Sequence, residues 1–315
     1  MIYTLTLNTS LDYVAHVDKL SVGNIHKTVN YSLYPGGKGI NVSQVLAQLG
    51  VDNTALGFVA GHTGTCLESL MADRHIDTDF VHLSSGITRI NMKIRSKNEL
   101  FATEETDING VGPNITDEEK KELLGKLAVV TSDDTVIVSG SVPPTVSVSE
   151  YENIIASIAN QGAVLVVDAI GKYLEVALKY KPFLIKPNRD ELYDFFGKQY
   201  TGDSDEVQLE AYAAKLAQMG AVNVLVSLGG DGALLYSRQP EGMVTYRKKA
   251  PKIDVINTVG AGDSMVAGFI AGYRAKQDVE YAMLLGICAG SATTMSEGLA
   301  NCNAVEQLME QYRQN

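Results

Sequence analysis

The chain has 315 residues, of which 45% are hydrophobic and 20% are charged, and its formal net charge is -11 at pH 7. These values indicate a globular protein with one large α/β domain or two smaller ones, and they exclude a disordered chain. The negative charge argues against nucleic acid and anionic membrane surfaces as partners, and no apolar run reaches the roughly 18 residues that a membrane-spanning helix needs.

The first predicted elements are a buried strand and two segments outside the main sheet. Residues 2–7 are mostly apolar, which is typical of a strand. Residues 13–34 and 88–104 are rich in alternating or β-branched residues without crossover helices, which predicts antiparallel strands. We expect these two segments to form a small sheet, here called the lid, that covers the site or forms an interface.

A glycine-rich turn lies between the two lid segments. Residues 36–41 read GGKGIN and lead into an apolar helical stripe that ends at Gly50. Such a turn lets backbone N–H groups approach an anion, and Lys38 adds a positive charge. Gly39 stands where a Walker A loop requires Ser or Thr, so this is not that loop. An ordinary glycine turn with an exposed lysine fits the local sequence equally well.

The second half of the chain alternates short apolar runs with helical patterns, which predicts a doubly wound α/β fold. The predicted strands are 135–139, 163–168, 183–185 and 222–227, and the predicted helices lie near 147–160, 171–180, 189–196 and 205–219. Runs that are apolar at nearly every position suit parallel strands buried on both faces. Polar or basic residues follow each run, where open parallel sheets bind ligands. These residues are Ser139, Asp168, Lys186 and Ser227.

Two further motifs follow predicted strands: residues 188–191 come after strand 183–185, and residues 227–232 come at the end of strand 222–227. Asn188 and Glu191 are three residues apart at a predicted helix start, which suits Mg²⁺ or, equally, a capping box. The glycines of Ser227–Gly232 would let a nucleotide phosphate approach the backbone, although a tight hairpin also explains them.

A second glycine turn, TVGAGD at 258–263, opens a helix near the end of the chain. The amides at Gly260 and Gly262 would form an anion hole at the positive end of the helix. Asp263 would then be a carboxylate beside that hole, placed to orient a hydroxyl for in-line phosphoryl transfer. We expect the helix N-terminus to lower its pKa. The alternative is that Asp263 only caps its helix.

The three cysteines, Cys66, Cys288 and Cys302, are widely spaced and form no metal-ligand pattern. They predict free thiols in a reducing compartment, and the beginning of the sequence has no signal-peptide pattern. We therefore expect a cytoplasmic protein.

Taken together, the motifs resemble the PfkB/ribokinase family of carbohydrate kinases over essentially the whole chain. The stretches at 36–41 and 258–263 look like the two family signatures in the right order, and 188–191 resembles the motif linked to Mg²⁺ and phosphate. The resemblance implies one ribokinase-like α/β domain over 1–315, with a mainly parallel sheet flanked by helices on both faces. It also implies ATP and Mg²⁺ as cofactors, and a lid that often forms a homodimer contact.

The resemblance implies a role for each matching residue. Asp263 would accept the proton of the sugar hydroxyl, beside an anion hole of Gly260, Ala261 and Gly262. The residues that would bind the sugar phosphate are Asp12, Lys27, Gly37, Lys38, Asn41, Arg89, Lys93 and Ser139. ATP would lie along Lys186, Asn188, Ser227, Gly229, Gly230, Gly232, Thr258, Gly260 and Gly262. Mg²⁺ would be bound, through water, by Asn188 and Glu191.

Within the family, the chain looks most like the branch that phosphorylates sugar phosphates, the 1-phosphofructokinases and tagatose-6-phosphate kinases. Basic residues near the lid of an acidic chain favour a phosphorylated substrate. These are Lys27, Lys38, Arg89 and Lys93. The stretches 88–93, 105–110 and 139–144 are most similar to 1-phosphofructokinases, so fructose 1-phosphate is the expected substrate and fructose 1,6-bisphosphate the product.

Two other classes of protein compete with a kinase as interpretations of the sequence. An NAD-dependent dehydrogenase needs Gly-x-Gly-x-x-Gly after the first strand, whereas Asn8, Thr9 and Ser10 stand there. A non-catalytic sugar-phosphate sensor stays open, because fold does not fix function, but it would have no reason to keep Asp263 beside two glycines. Asn257 departs from the family signature, which usually has Asp, and this puts a cation role at that position in doubt.

Overall fold

The computed structural model describes residues 1–97, 103–200 and 206–314. The strands are β1 (Ile2–Thr6), β2 (Ser10–Val17), β3 (Asn30–Gly36), β4 (Thr54–Ala60), β5 (Asp77–Thr78), β6 (Val81–Leu83), β7 (Arg89–Lys97), β8 (Thr103–Asn109), β9 (Thr135–Ser139), β10 (Val164–Asp168), β11 (Leu184–Ile185), β12 (Asn223–Ser227), β13 (Ala233–Gln239) and β14 (Gly242–Lys248). The helices are α1 (Lys38–Gln48), α2 (Gly61–Ala72), α3 (Asp117–Leu127), α4 (Val148–Asn160), α5 (Gly171–Leu178), α6 (Arg189–Phe195), α7 (Glu206–Met219), α8 (Ala261–Lys276), α9 (Val279–Thr294) and α10 (Cys302–Gln314).

The main sheet has the strand order β14-β13-β12-β11-β10-β9-β1-β4-β5, with β6 paired to β4. The pairings from β12 across to β4 are parallel, and the two pairings at one edge, β12 with β13 and β13 with β14, are antiparallel. The predicted central sheet is therefore confirmed. The predicted strands and helices of the second half lie within a few residues of their observed bounds, and residue 205 of the last predicted helix lies outside the described residues.

Helices cover both faces of this sheet because alternate residues of its central strands enter two different cores. Val136 and Val138 of β9 pack with α3, α4 and α7, whereas Ile137 packs with α1, α8 and α9. Val224 and Leu225 of β12 divide in the same way. A strand that is apolar at every position is thus required, since neither face meets water.

The lid is a separate sheet of four strands in the order β3-β2-β7-β8. Its existence confirms the prediction, but its pairing is mixed: β2 runs parallel to β7, while β3 and β8 pair antiparallel. The all-antiparallel prediction was therefore wrong. It failed because β2 and β7 come from distant segments, and alternation within a strand carries no information on the direction of its partner.

The bounds of the lid also differ from those predicted. The first segment begins at Ser10 instead of 13 and contains an irregular connection between β2 and β3, and the second continues through β8 to Asn109. Residues 98–102 of the predicted segment 88–104 lie outside the described residues. None of the helices in the described part of the chain is both long and apolar enough to span a bilayer.

Candidate active site

The first glycine turn places the start of α1 at the carboxyl end of β1. Gly37 is the N-cap of α1, has φ 107°, and leaves the first amides without a side-chain cap. A Cβ on Gly37 would lie 2.9 Å from Cγ2 of Thr6, so both its backbone conformation and its neighbour require glycine. Gly36 lies directly against the Asp12 carboxylate of the lid. The turn therefore brings α1, β1 and the lid together.

The second glycine turn starts α8 beside α1. Gly260 is the N-cap with φ 80°, and no side chain caps this helix. Asp263 is buried in the first turn, where Nδ2 of Asn41 donates a hydrogen bond to its Oδ2 at 2.8 Å. The prediction that Asp263 merely caps its helix is therefore wrong. The two signature turns, far apart in sequence, meet through this bond.

Burial governs the acidity of Asp263. Loss of solvation and the nearby charge of Asp168 raise its pKa to about 7, although the Asn41 hydrogen bond, Lys38 and Lys186 oppose the rise. The expected lowering by the helix N-terminus was therefore wrong, because desolvation of a buried carboxylate outweighs a partial charge. A carboxylate with this pKa is a better proton acceptor near neutral pH than an ordinary Asp.

Two lysines converge on Asp168 at the carboxyl end of β10. Nζ of Lys38 lies 3.2 Å from Oδ2 of Asp168, and Nζ of Lys186 lies 3.9 Å from Oδ1. These cations outweigh burial and hold the pKa of Asp168 below its usual range. Burial alone would lower the pKa of Lys38, but the carboxylates of Asp168, Asp263 and Glu191 raise it. Two ammonium groups thus lie beside the Asp168 carboxylate, close to the start of α8.

A cavity of about 250 Å³ lies under the lid. Its lining includes Asp12, Asn41, Arg74, Lys93, Arg95, Asn257 and Asn301. Asp12 is oriented by Nδ2 of Asn91, which donates to its Oδ1 at 2.9 Å. Alternate residues of β7 face this cavity, so Lys93 and Arg95 lie on the same side of the lid and are nearly buried.

A second cavity, of about 740 Å³, lies on the other side of α8. It is lined by seven of the residues predicted to bind nucleotide, together with apolar residues of α9 and of the segment before α8. Those seven residues are Asn188, Ser227, Gly229, Gly230, Gly232, Thr258 and Gly262. β12 and β13 do form the antiparallel hairpin, so the glycine segment serves both as a hairpin connection and as a cavity wall.

Five predicted substrate residues line neither cavity. Gly37 and Lys38 lie at the start of α1, and the other three are Lys27, Arg89 and Ser139. Lys27 is exposed on the connection between β2 and β3 and lines neither cavity. Arg89 lies near Asp12, but its Nε and NH2 groups donate to O of Asn8 and its NH1 to O of Gly110. Oγ of Ser139 donates to Oδ2 of Asp168 at 3.3 Å.

Asn188 and Glu191 form a capping box at the start of α6. Oδ1 of Asn188 accepts from the amide of Glu191, and Oε2 of Glu191 accepts from the amide of Asn188, both at 2.8 Å. The capping alternative is thus confirmed. Within the described residues no cluster of three His, Cys, Asp or Glu could hold a metal ion. The second carboxylate oxygen of Glu191 stays outside this box, and its chemistry suits water bound to Mg²⁺.

Sequence reasoning did not assign four residues that the structure brings to the site. Asp168 was noted only as the polar end of a strand, and Arg74, Asn91 and Arg95 were not singled out. The period-two pattern of β7 could have identified Asn91 and Arg95, since they share a face with Lys93. Arg74 comes from the end of α2, and no local pattern indicated that it lies under the lid.

The comparisons with known proteins agree with this geometry. A family model described as pfkB family carbohydrate kinase matches residues 6–306. A 1-phosphofructokinase from Bacillus subtilis is 40% identical over 313 residues, and the match covers 99% of this chain and 99% of that protein. A D-tagatose-1-phosphate kinase from Bacillus licheniformis is 36% identical over 314 residues, again with 99% of both covered. Escherichia coli phosphofructokinase-2, solved in complex with fructose-6-phosphate, superposes with a TM-score of 0.88 at 29% identity over 98% of both chains.

Proposed function

The chain belongs to the pfkB family of carbohydrate kinases, and we propose that it transfers the γ-phosphoryl group of ATP to a hydroxyl of fructose 1-phosphate, giving fructose 1,6-bisphosphate. One observation carries the proposal. Asp263 is buried between the lid cavity, which its partner Asn41 lines, and the larger cavity, which its neighbour Gly262 lines. An acceptor hydroxyl on one side and a phosphoryl donor on the other would meet at this carboxylate.

In this proposal the chain's own residues position the reactants and stabilise charge. Asp263 accepts the proton of the sugar hydroxyl, and Asn41 fixes the direction of its carboxylate. The uncapped amides at Gly260–Gly262, with Lys38 and Lys186, stabilise negative charge on the transferring group. Positioning and charge stabilisation are what phosphoryl transfer needs from a protein, since its transition state is loose.

ATP is assigned to the larger cavity, with Mg²⁺ accompanying its phosphates. The support is that most residues predicted to bind nucleotide line this one cavity. Magnesium would neutralise charge on the β- and γ-phosphates. Glu191 has its second carboxylate oxygen outside the capping box, so it can accept a hydrogen bond from water bound to the metal.

The substrate is assigned to the lid cavity as a sugar already bearing a phosphate. Three cations, Arg74, Lys93 and Arg95, line this cavity together with Asp12. Lys93 and Arg95 already pair with Asp107 and Glu105 of β8 at 3.6 and 2.8 Å, and a substrate phosphate would accept hydrogen bonds from the N–H donors that these pairs leave. Arg89 can contribute as well, since a guanidinium has five N–H donors and the two carbonyls do not use them all.

Tagatose 1-phosphate is a second candidate substrate. A relative that is 36% identical over nearly the whole chain is named for that activity. Tagatose 6-phosphate, which the sequence resemblance had suggested, remains a further alternative to be assayed.

The experiment is a coupled ADP-release assay on the purified protein with five acceptors: fructose 1-phosphate, tagatose 1-phosphate, tagatose 6-phosphate, fructose 6-phosphate and fructose. We expect the highest kcat/KM with fructose 1-phosphate and the lowest with fructose. A preference for another phosphate would change the substrate. Tight sugar-phosphate binding without ADP release would favour a non-catalytic sensor.

We also propose that two chains associate through the outer face of the lid, defined by Tyr13, Tyr31, Ile90, Met92 and Ile108. Four of these side chains are 41–62% exposed, which is unusual for large apolar residues on one sheet face. Tyr13 and Tyr31 stack on this face with ring centroids 5.5 Å apart.

Residues 1–315 would form one catalytic domain with the lid as its insertion. The protein would work in the cytoplasm, where its free cysteines stay reduced.

Sedimentation of an Ile90→Asp/Met92→Asp variant tests the dimer. We expect the wild type to sediment as a dimer and the variant as a folded monomer, because charges on an apolar interface are not compensated. Val129→Asp is the matched control, since Val129 is 67% exposed and lies outside the lid. A monomeric wild type, or a variant that stays dimeric, would contradict this assignment.

A further inference from the structure

Asp168 is a buried carboxylate that none of the predicted roles uses. Its side chain is 2% exposed at the end of β10. Its two oxygens point to different lysines: Oδ2 accepts from Nζ of Lys38, and Oδ1 faces Nζ of Lys186. Ser139, the residue beside it on β9, donates to Oδ2 and so fixes the orientation of the carboxylate.

The two lysines come from unrelated segments and have no other ion pair in the described residues. Lys38 begins α1, whereas Lys186 follows β11 on the opposite side of Asp168. A lysine side chain is a flexible four-carbon stem, and two ammonium groups repel each other. A single carboxylate between them opposes that repulsion and gives each ammonium a defined position.

The position of one ammonium matters for the reaction site. A Cβ built on Gly262 would lie 3.0 Å from Nζ of Lys186, so that ammonium rests against the start of α8. Nζ of Lys38 is held on the other side of the same carboxylate. Asp168 thus sets where two positive charges stand relative to the amides of the proposed anion hole.

Asp168 also acts on Asp263 through space. Burial is the main cause of the raised pKa of Asp263, and the charge of Asp168 adds to it. The Asn41 amide from α1 and the two lysines oppose the rise. Removing the charge of Asp168 while keeping both lysines would therefore lower the pKa of Asp263.

We propose that Asp168 is a positioning residue for phosphoryl transfer, which holds the Lys38 and Lys186 ammonium groups at the start of α8. Its kinetic consequences rest on the proposed kinase activity. The effect of Asp168 on ligand binding does not rest on that activity. Removing the negative charge of Asp168 leaves more net positive charge at the site, which does not weaken the electrostatic attraction for an anion.

The test compares Asp168→Asn and Asp168→Glu with wild type and with Asp133→Asn, an exposed aspartate in the loop before β9. Steady-state kinetics, the pH profile of kcat, thermal unfolding and binding of a non-hydrolysable ATP analogue are measured for each. For Asp168→Asn we expect kcat to fall about 100-fold, the loss typical of misplaced catalytic groups. We expect the acid limb of its profile to move to lower pH, and the analogue to bind as tightly as before or more tightly.

Asp168→Glu keeps the charge but moves it by one methylene. We expect a lowered kcat with an acid limb at the wild-type pH, and this variant decides the matter if Asp168→Asn does not fold. Wild-type kcat in either variant, an unmoved acid limb in a folded Asp168→Asn, or a tenfold loss of analogue affinity would overturn the proposal. An inactive wild type would instead refute the kinase assignment. The affinity of the Asp168 variants for the ATP analogue would then be the measurement that tests the role of Asp168.

Discussion

Three helices begin at the candidate site, and two of them begin differently from the third. α1 and α8 start at Gly37 and Gly260, both with positive φ and with no side-chain cap. α6 starts at a capping box in which Asn188 and Glu191 satisfy each other's amides. At the first two helix starts no side chain accepts from the first amides, so these N–H donors can face a ligand. At the third, the side chains of the capping box accept from the backbone amides.

This difference separates positions that bind an anion from positions that stabilise a helix. All three motifs are short and polar in sequence, and each had both a functional and a structural interpretation. No side chain caps the two glycine starts, although the amide of Ala261 donates to O of Thr258 at 3.3 Å, so the functional interpretation has more support there. At α6 the structural role is satisfied, and any catalytic role must come from the remaining oxygen of Glu191.

The largest expected effect is at the carboxylate of the α8 start. Asp263→Asn should lower kcat by about 10²- to 10⁴-fold, the usual contribution of a general base, and leave KM for both substrates within a few-fold. Steady-state kinetics would check this, with Asp52→Asn, an exposed aspartate after α1, as control. Equal activity of the Asp263 variant and wild type would refute the assignment.

A methyl group at the α8 start should impair activity without unfolding the protein. In Gly262→Ala the new Cβ would displace the Lys186 ammonium, which lies at the end of a flexible chain, so we expect a loss in kcat of about tenfold or more with an unchanged melting temperature. Gly125→Ala, in α3 with open space around it, is the control and should retain full activity. Full activity of Gly262→Ala would show that these amides are not near the phosphoryl group.

The pH dependence should follow the raised pKa of Asp263. Only its ionised form accepts a proton, so kcat should fall about tenfold per pH unit below about pH 7. Measuring kcat at saturation avoids the ionisation of the free sugar phosphate, near pH 6. A flat profile down to pH 5 would contradict the role of Asp263.

The same pKa has a consequence for stability, with the opposite sign to a salt-bridged Asp. Folded Asp263 keeps its proton up to about pH 7, whereas unfolded Asp loses it near pH 4, so the free energy of unfolding decreases as pH rises through that window. Urea unfolding of Asp263→Asn at pH 5 and pH 7.5 should show a stability gain over wild type that is larger at pH 7.5.

The smallest expected effect is at the capped helix. Glu191→Gln can retain the capping box, so we expect only a several-fold rise in the Mg²⁺ concentration for half-maximal activity, since phosphates and water supply the other ligands. Glu150→Gln is the matched control, because Glu150 closes the same box at α4, away from the site. If both variants need the same Mg²⁺ as wild type, Glu191 serves only to cap α6.

The amino-acid sequence by itself determined the fold class, the strands of the second half and the two glycine turns. Apolar runs fix strands buried on both faces, and a glycine turn before a helical stripe fixes a helix start, because these patterns depend only on near neighbours in the chain. The family resemblance added the order of the motifs and their chemistry.

Only the tertiary structure decided how those motifs meet. The parallel pairing of β2 with β7, the contact between Asn41 and Asp263, and the place of Asp168 between two lysines each join residues distant in sequence. The pKa of Asp263 was wrongly predicted for the same reason. Desolvation and the charge of Asp168 exist only once the chain has folded around them, and no local pattern contains either.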